Sequence, residues 1–216
     1  MPSWPAIGVG LFAPLVFIVA FSLLRHGEKL INIALDFSVG ALLTFAALLG
    51  ENFAFSLFGP LIPAGYELLI KNFIFVALTE EVVKISQIVQ LTTRRHLFSL
   101  QDTISVALVV AAGFAGAENV VYLFRYSQDV DNLLLLRTLT AVPLHLATAV
   151  VAAKFISIAR QREQHQYYAV ALLVATGIHG FYDYLVMASR GRSFSFVFVL
   201  GFVVAWAWRI LALRKS

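Results

Sequence analysis

The chain has no cysteine. Disulfides, thiolate metal ligands and a cysteine nucleophile are therefore excluded, while the redox compartment stays open. Charge is nearly as scarce, since Asp, Glu, Lys and Arg together make 13% of 216 residues, against about 25% in a soluble domain. An ordinary soluble globule is excluded on that ground. The basic residues form no stripe interleaved with aromatics, so the net charge of +4 does not read as nucleic-acid binding. No soluble domain, linker, internal repeat or low-complexity tract interrupts the sequence.

What is abundant is apolar. Hydrophobic residues make up 60% of the chain and the mean hydropathy is +0.85. Runs of about 20 apolar residues, long enough to cross a hydrocarbon core of roughly 30 Å, recur along it. The pattern predicts an all-α, polytopic membrane bundle of about seven transmembrane helices, with six to eight compatible. The expected spans are Ile7 to Leu24, Leu30 to Leu49, Tyr66 to Leu91, Asp102 to Phe124, Leu133 to Ile158, Tyr167 to Ala188 and Phe194 to Leu213. Glu51 to Gly65, with Gly59-Pro60, Pro63 and Gly65, reads as a surface-lying or re-entrant connection. The first span has no basic residue ahead of it and no small-residue cleavage site, so it is kept as structure. The whole of 1–216 is expected to be one integral-membrane domain.

Under this assignment Arg25, Lys29, Arg94, Arg95, Lys154, Arg160, Arg162, Arg209, Arg214 and Lys215 fall on one side. Lys71, Arg125, Arg137, Arg190 and Arg192 fall on the other. Ten against five places the N-terminus outside and the C-terminus in the cytoplasm, and the basic excess meets anionic lipid headgroups.

Within that frame a few ionisable groups stand where lipid should be. Glu80, Glu81 and Lys84 interrupt an otherwise apolar stretch, and each charge at such depth costs roughly 2.5–3.5 kcal/mol unless it faces partners or water. Asp36, Glu118, Asn119, His145, His179 and Asp183 complete the set. At 1.5 Å per residue, Glu80 lies roughly 16 Å from the cytoplasmic end of its span, His179 about 18 Å, His145 about 20 Å and Glu118 about 24 Å. Four spans running in alternating directions thus bring four polar side chains to one layer, and mutual contact relieves the cost to each. One polar cluster in the bundle interior is expected.

Each member also has a plainer reading. Glu80, Lys84 and Gln87 share one helical stripe, so Glu80 and Lys84 suit a simple internal ion pair. Glu118 and Asn119 follow a small-residue face of Ala112, Gly113 and Gly116 and suit interhelical hydrogen bonding. His145 follows Pro143, which frees a backbone carbonyl and favours a kink, and a lone histidine there is often only hydrogen-bonded. Asp36, Lys154 and the loop charges read as solvated or interfacial. The second carboxylate at Glu81 resists the plain reading, because Lys84 offsets one charge only, and paired carboxylates in unlike environments suit general acid and base work. His179 and Asp183, four residues apart, share a face on which a carboxylate orients an imidazole or shares a metal.

Glu80-Glu81-Val-Val-Lys84 resembles the EExxK motif of the PrsW family of intramembrane proteases, and Phe114-Ala-Gly-Ala-Glu118-Asn119 is similar to its FxxxEN element. The family's later histidines correspond to His145 and to His179-Gly-Phe-Tyr-Asp183, which resembles HxxxD. Motif order, span placement and length agree over essentially the whole chain, with the motif helices at about 66–91, 102–124, 133–158 and 167–188. More distantly the chain resembles the CAAX prenyl-protein proteases and the bacteriocin-immunity-associated membrane proteases. Their second motif has a histidine where this chain has Glu118, which argues against prenylated substrates. The resemblance implies cleavage of a membrane-anchored protein, an anti-sigma factor being the best known case for some members. It implies a multi-pass protein of a bacterial or archaeal cell membrane.

Other intramembrane chemistries lack their signatures: there is no HExxH, no GxSG, and no GxGD partner for Tyr182-Asp183. The expected mechanism is therefore attack by water activated by carboxylates, with or without a metal. Glu80 takes the proton of the water. Glu81 positions the water or shares a metal, and Lys84 offsets their charge. Glu118, His145 and His179 are the candidate metal ligands, with Zn2+ favoured by that donor set. Without metal, His179 or Asn119 stabilises the oxyanion, and Asp183 orients His179 in both cases. The rival class is a proton- or ion-coupled transporter built on the same buried Glu, His and Asp, for which an inverted repeat is the missing sign. A non-cutting scaffold of protease ancestry is the third.

Overall fold

The computed structural model describes residues 2–20, 29–126, 130–189 and 195–213. Phe21 to Leu24 of the first expected span, Phe194 of the last, and the basic residues Arg25, Arg190, Arg192, Arg214 and Lys215 lie outside it. Among the described residues every regular element is helical: α1 (Trp4–Ala20), α2 (Leu30–Phe58), α3 (Glu67–Ile70), α4 (Leu78–Arg94), α5 (Leu100–Arg125), α6 (Val130–Leu139), α7 (Ala141–Gln161), α8 (Gln166–Ala188) and α9 (Ser195–Leu213). Four described stretches are long and apolar enough to cross a membrane, Leu30–Leu61, Leu100–Arg125, Val130–Gln161 and Gln166–Ala188. Trp4–Ile18 and Leu200–Ile210 are shorter apolar helices.

Large apolar side chains cover the outside as well as the core, and ionisable ones lie within. Phe45, Leu49, Phe53, Leu173, Phe202 and Trp208 point outward and are exposed, while Asp36, Glu80, Glu81, Lys84, His145 and His179 are buried. That arrangement suits a solvent of hydrocarbon, in which only a satisfied interior tolerates charge.

The central element is α5. It begins at Ser99, whose hydroxyl accepts the Asp102 N–H at 3.0 Å, an N-cap that satisfies one free donor. From Thr103 to Ala117 every residue is buried, because α1, α2, α4 and α7 all pack on it. Small residues permit the closest of these approaches. A Cβ at Gly113 would overlap the Phe37 carbonyl of α2.

Between α3 and α4 the chain forms a π-helical segment, Lys71–Ala77, so that 67–94 runs on without a gap. Such wide turns often accompany functional positions, and this one ends three residues before Glu80. Gly180 of α8 rests directly on it, for a Cβ there would stand 2.8 Å from the Phe73 ring. That contact brings His179 up to α4. At the far end, Arg160 of α7 donates to Thr92 Oγ1 at 2.6 Å and to the Val89 carbonyl at 3.0 Å, closing the C-terminal turns of α4 on α7.

Three expectations change. The helix α2 does not stop near Leu49 but continues to Phe58, with a 3-10 turn at Gly59–Leu61. Its polar residues bond back to their own helix, Asn52 Nδ2 to the Leu48 carbonyl at 2.6 Å and Ser56 to Phe53 at 2.8 Å, and the Gly59-Pro60 pair is what ends it. The expected span Leu133 to Ile158 is two helices. It breaks at Thr140 (φ −124, ψ −60), three residues before Pro143, because proline has no N–H to close the turn onto Leu139. Asp36 is not solvated: it is 3% exposed and takes both Nη atoms of Arg95, at 2.6 and 2.9 Å, which locks the start of α2 to the end of α4.

Candidate active site in the bundle interior

Six helices turn side chains toward a common cavity of about 570 Å³, a size typical of ligand clefts. Thr44, Leu48 and Glu51 of α2 fall at i, i+4 and i+7. Asn72, Val76 and Glu80 run along the π segment into α4, and Phe114, Glu118, Val121, Tyr122 and Arg125 along α5. From α6 and α7 come Leu136, Arg137, Thr140 and His145, and from α8 His179, Tyr182, Asp183 and Val186. Lys71 and Arg125 stand at one end of it, opposite the end tied by Asp36 and Arg95. The remaining lining is apolar, so charge on its walls is poorly screened.

The four depth-matched residues come together here. His145 Nε2 lies 2.8 Å from Glu118 Oε2, the two imidazole rings meet edge to face at 5.0 Å, and His179 Nε2 lies 3.7 Å from Glu80 Oε2. Asp183 Oδ2 is 3.3 Å from the same His179 nitrogen. Asn119 is also near, but its amide is committed. Its Oδ1 accepts from Arg137 Nε at 2.9 Å and its Nδ2 donates to the Gly10 carbonyl at 3.2 Å.

The carboxylate pair divides unequally. Lys84 Nζ lies 2.6 Å from Glu81 Oε1 but 3.7 Å from Glu80 Oε2, so the short ion pair belongs to Glu81. His179 Nδ1 donates to the same Glu81 oxygen at 2.9 Å. The neighbouring Glu80 faces the cavity, and its buried Oε2 has no hydrogen-bond partner. Adjacent residues on a helix point about 100° apart. One carboxylate is therefore bonded within the protein and the other presents a free acceptor to the cavity.

The tautomer of His145 follows from its neighbours. Lys84 Nζ stands 3.2 Å from His145 Nδ1 and 4.7 Å over the Phe114 ring. An ammonium only donates, so Nδ1 accepts and Nε2 carries the proton given to Glu118. His145 thus has Nε2 on Glu118 and Nδ1 on Lys84, while His179 has Nδ1 on Glu81 and Nε2 3.3 Å from Asp183 and 3.7 Å from Glu80; a carboxylate on one nitrogen is how metal-binding histidines are oriented.

Glu80, His145 and His179 are the group whose donor atoms all lie within 4.8 Å of one another. Two imidazoles and a carboxylate suit a catalytic zinc-type site, and the unbonded Glu80 Oε2 is the kind of buried oxygen that a cation satisfies. The residues present therefore fit a divalent metal. Of the expected ligand set, His145 and His179 are in the group, while Glu118 binds the far nitrogen of His145.

Two residues escaped the sequence reading. Arg137 counted among the loop charges, but its side chain is 12% exposed, 2.9 Å from Glu118 Oε2, and stacked over the Tyr122 ring at 3.7 Å. The usable signal was its position four residues inside an expected span, where a guanidinium needs a partner. Glu51 was placed in a connection. The stripe it shares with Thr44 and Leu48 was legible once the helix was extended.

A family model described as PrsW family intramembrane metalloprotease matches residues 28–209. The protein "Protease PrsW" of Clostridioides difficile (strain 630) is 27% identical over 197 residues, covering 87% of this chain and 80% of that one. No solved structure matches.

Proposed function

This chain belongs to the PrsW family of intramembrane metalloproteases, and from that premise we propose that its cavity hydrolyses a peptide bond of a membrane-anchored protein, with Glu80 as general base. The observation that carries this reading is the buried Glu80 oxygen without a hydrogen-bond partner, facing the cavity beside His179. Protein charge is normally satisfied in such a place. A free acceptor there suits a water that must give up a proton.

The steps follow from the contacts. Water enters the cavity and donates to Glu80, which takes its proton as the oxygen attacks the scissile carbonyl. The proton is then available to the leaving amine. Without a metal, His179, held by Glu81 on one nitrogen and Asp183 on the other, donates to the developing oxyanion; with one, that second nitrogen would be a ligand instead. Lys84 balances Glu81 and fixes His145, so Glu81 acts as an organiser rather than as the water's partner. Glu118 orients His145. Glu80, His145 and His179 would hold the metal, zinc by donor chemistry, and a bound metal would polarise the carbonyl and lower the barrier to water attack. Glu80 has two oxygens, one for that donor set and one for the proton.

The protein is an intramembrane protease in a multi-pass chain, and the finer topology is part of the proposal. The alternation of helices and the basic excess at the Arg94, Arg95 and Arg160 end support seven spans, with that end cytoplasmic. The cavity then opens toward the outer half of the bilayer, and the four motif helices act within a single domain. The bacterial relative supports a bacterial cell membrane, and a single-span regulator such as an anti-sigma factor is the substrate class we favour. The transporter reading is not favoured, because the matching family is one of proteases.

The test uses purified chain in proteoliposomes with a single-span reporter. Wild type cuts it, and Glu80→Ala or His179→Ala inserts normally but does not cut. Retained cleavage in either variant sinks the assignment. A chelator stops the reaction and zinc restores it if the metal is required.

A further inference from the structure

Arg137 is a charged group of the cavity wall with no task in the reaction, as are Glu51, Lys71 and Arg125, but it alone of these four has an ion pair to a carboxylate of the histidine cluster among the described contacts. It reaches charged and polar side chains of the site from a helix, α6, in which no residue is fully buried. All its partners are on α5, at consecutive and i+4 positions. Its Nη2 lies 2.9 Å from Glu118 Oε2 as an ion pair without hydrogen-bond alignment, its Nε donates to Asn119 Oδ1 at 2.9 Å, and its plane covers the Tyr122 ring at 3.7 Å. The Glu118 oxygen that faces Arg137 is the same oxygen that accepts from His145 Nε2 at 2.8 Å.

We propose that Arg137 is a positioning residue for the peptidase reaction: it holds Glu118 Oε2 on His145 Nε2, which keeps His145 Nδ1 turned toward Lys84, Glu80 and His179. The proposal rests on the peptidase reading of the cavity. A carboxylate in such a setting has two rotamers and two oxygens to offer, and only one choice keeps the Nε2 proton engaged. The guanidinium removes that freedom, because its fork is fixed at Nε by Asn119 and its face by Tyr122. Asn119 is itself held by the Gly10 carbonyl of α1. A lysine supplies the charge but not the fork or the stacked plane.

At the break between α6 and α7, Thr140 Oγ1 is bonded to the Leu136 carbonyl at 2.8 Å and receives the Tyr182 hydroxyl at 2.7 Å. Arg137 and His145 lie on either side of the break. Both side chains reach the one carboxylate of Glu118.

The alternative is that Arg137 only anchors α6 to the bundle. The full chain, labelled with nitrogen-15 histidine, separates the two in purified form with a single-span reporter. The expected result for Arg137→Gln is a kcat lowered about 10- to 100-fold, as for other residues that orient a ligand from outside, with KM nearly unchanged. Arg137→Lys recovers part of the loss. Arg137→Gln added to Glu118→Gln brings little further loss, since the two act through one contact. The ring nitrogens of His145, assigned with His145→Gln, show the Nε2-protonated tautomer in wild type and a mixture in Arg137→Gln. The proposal is overturned if Arg137→Gln lowers only thermal stability, with kcat and the His145 signals as in wild type where the variant is folded. It is also overturned if its loss adds in full to that of Glu118→Gln. Should the wild-type chain cut no reporter, the peptidase reading fails, and the nitrogen signals alone decide: their loss in Arg137→Gln upholds the positioning role and their persistence ends it.

Discussion

Neighbouring glutamates give the sharpest contrast. Glu81 makes two short contacts inside the protein, 2.6 Å to Lys84 and 2.9 Å to His179, whereas the buried Glu80 oxygen has none and stands 3.7 Å from both. Glu81→Gln removes one partner of a buried ion pair and leaves the ammonium uncompensated, which costs about 3–5 kcal/mol. At roughly 2–4 °C per kcal/mol for a chain of this size, the melting temperature falls by roughly 6–20 °C. Glu80→Gln breaks no short contact and only two loose ion pairs at 3.7 Å, so its melting temperature stays near that of wild type. Its activity behaves oppositely, with a loss of about 10²–10⁴-fold for a missing general base. Thermal unfolding in detergent and initial rates on a single-span reporter measure both. Equal losses of stability in the two variants, or near-normal turnover by Glu80→Gln, refute the division of roles.

Three other outcomes follow from the packing. Gly180→Val drives a side chain into the Phe73 ring and lifts His179 from Glu81, so cleavage is lost, while Gly177→Ala, which meets nothing within 4 Å, is nearly silent; rates of the two variants check it. Arg95→Gln strips Asp36 of its bidentate partner and lowers the stability, again by about 3–5 kcal/mol, but leaves the rate of the folded fraction unchanged because the pair is at the far end from the cavity. Since the chain lacks cysteine, single replacements report topology cleanly. Impermeant thiol reagents added to intact cells label Ala64→Cys and spare Gln164→Cys, and the reverse pattern inverts the proposed orientation.

Charge at depth made the polar cluster legible before any coordinates. A glutamate or histidine in mid-span has few affordable environments, and the helical rise alone assigned Glu80, Glu118, His145 and His179 to one layer. What the sequence could not supply was direction. Glu80 and Lys84 share a stripe four residues apart, and spacing favoured that pair, yet Lys84 closes on Glu81 three residues away. Rotamers in a packed interior make that choice, through Phe114 and His145 on either side of the ammonium. Helix ends were the other blind spot. The span was ended at Leu49 rather than at the Gly59-Pro60 pair that stops α2, which hid Glu51, and Pro143 marked a break that falls at Thr140, which hid Arg137.

The central claim is that water, activated at Glu80, is added across a peptide bond of a membrane-anchored protein. Mass spectrometry of reporter fragments formed in heavy-oxygen water tests it most directly. The account predicts one heavy oxygen in the new C-terminal carboxyl of the wild-type product, a cut mapping to the outer half of the span, and no fragment from Glu80→Gln. Fragments free of heavy oxygen, or labelled fragments formed equally by Glu80→Gln, contradict it.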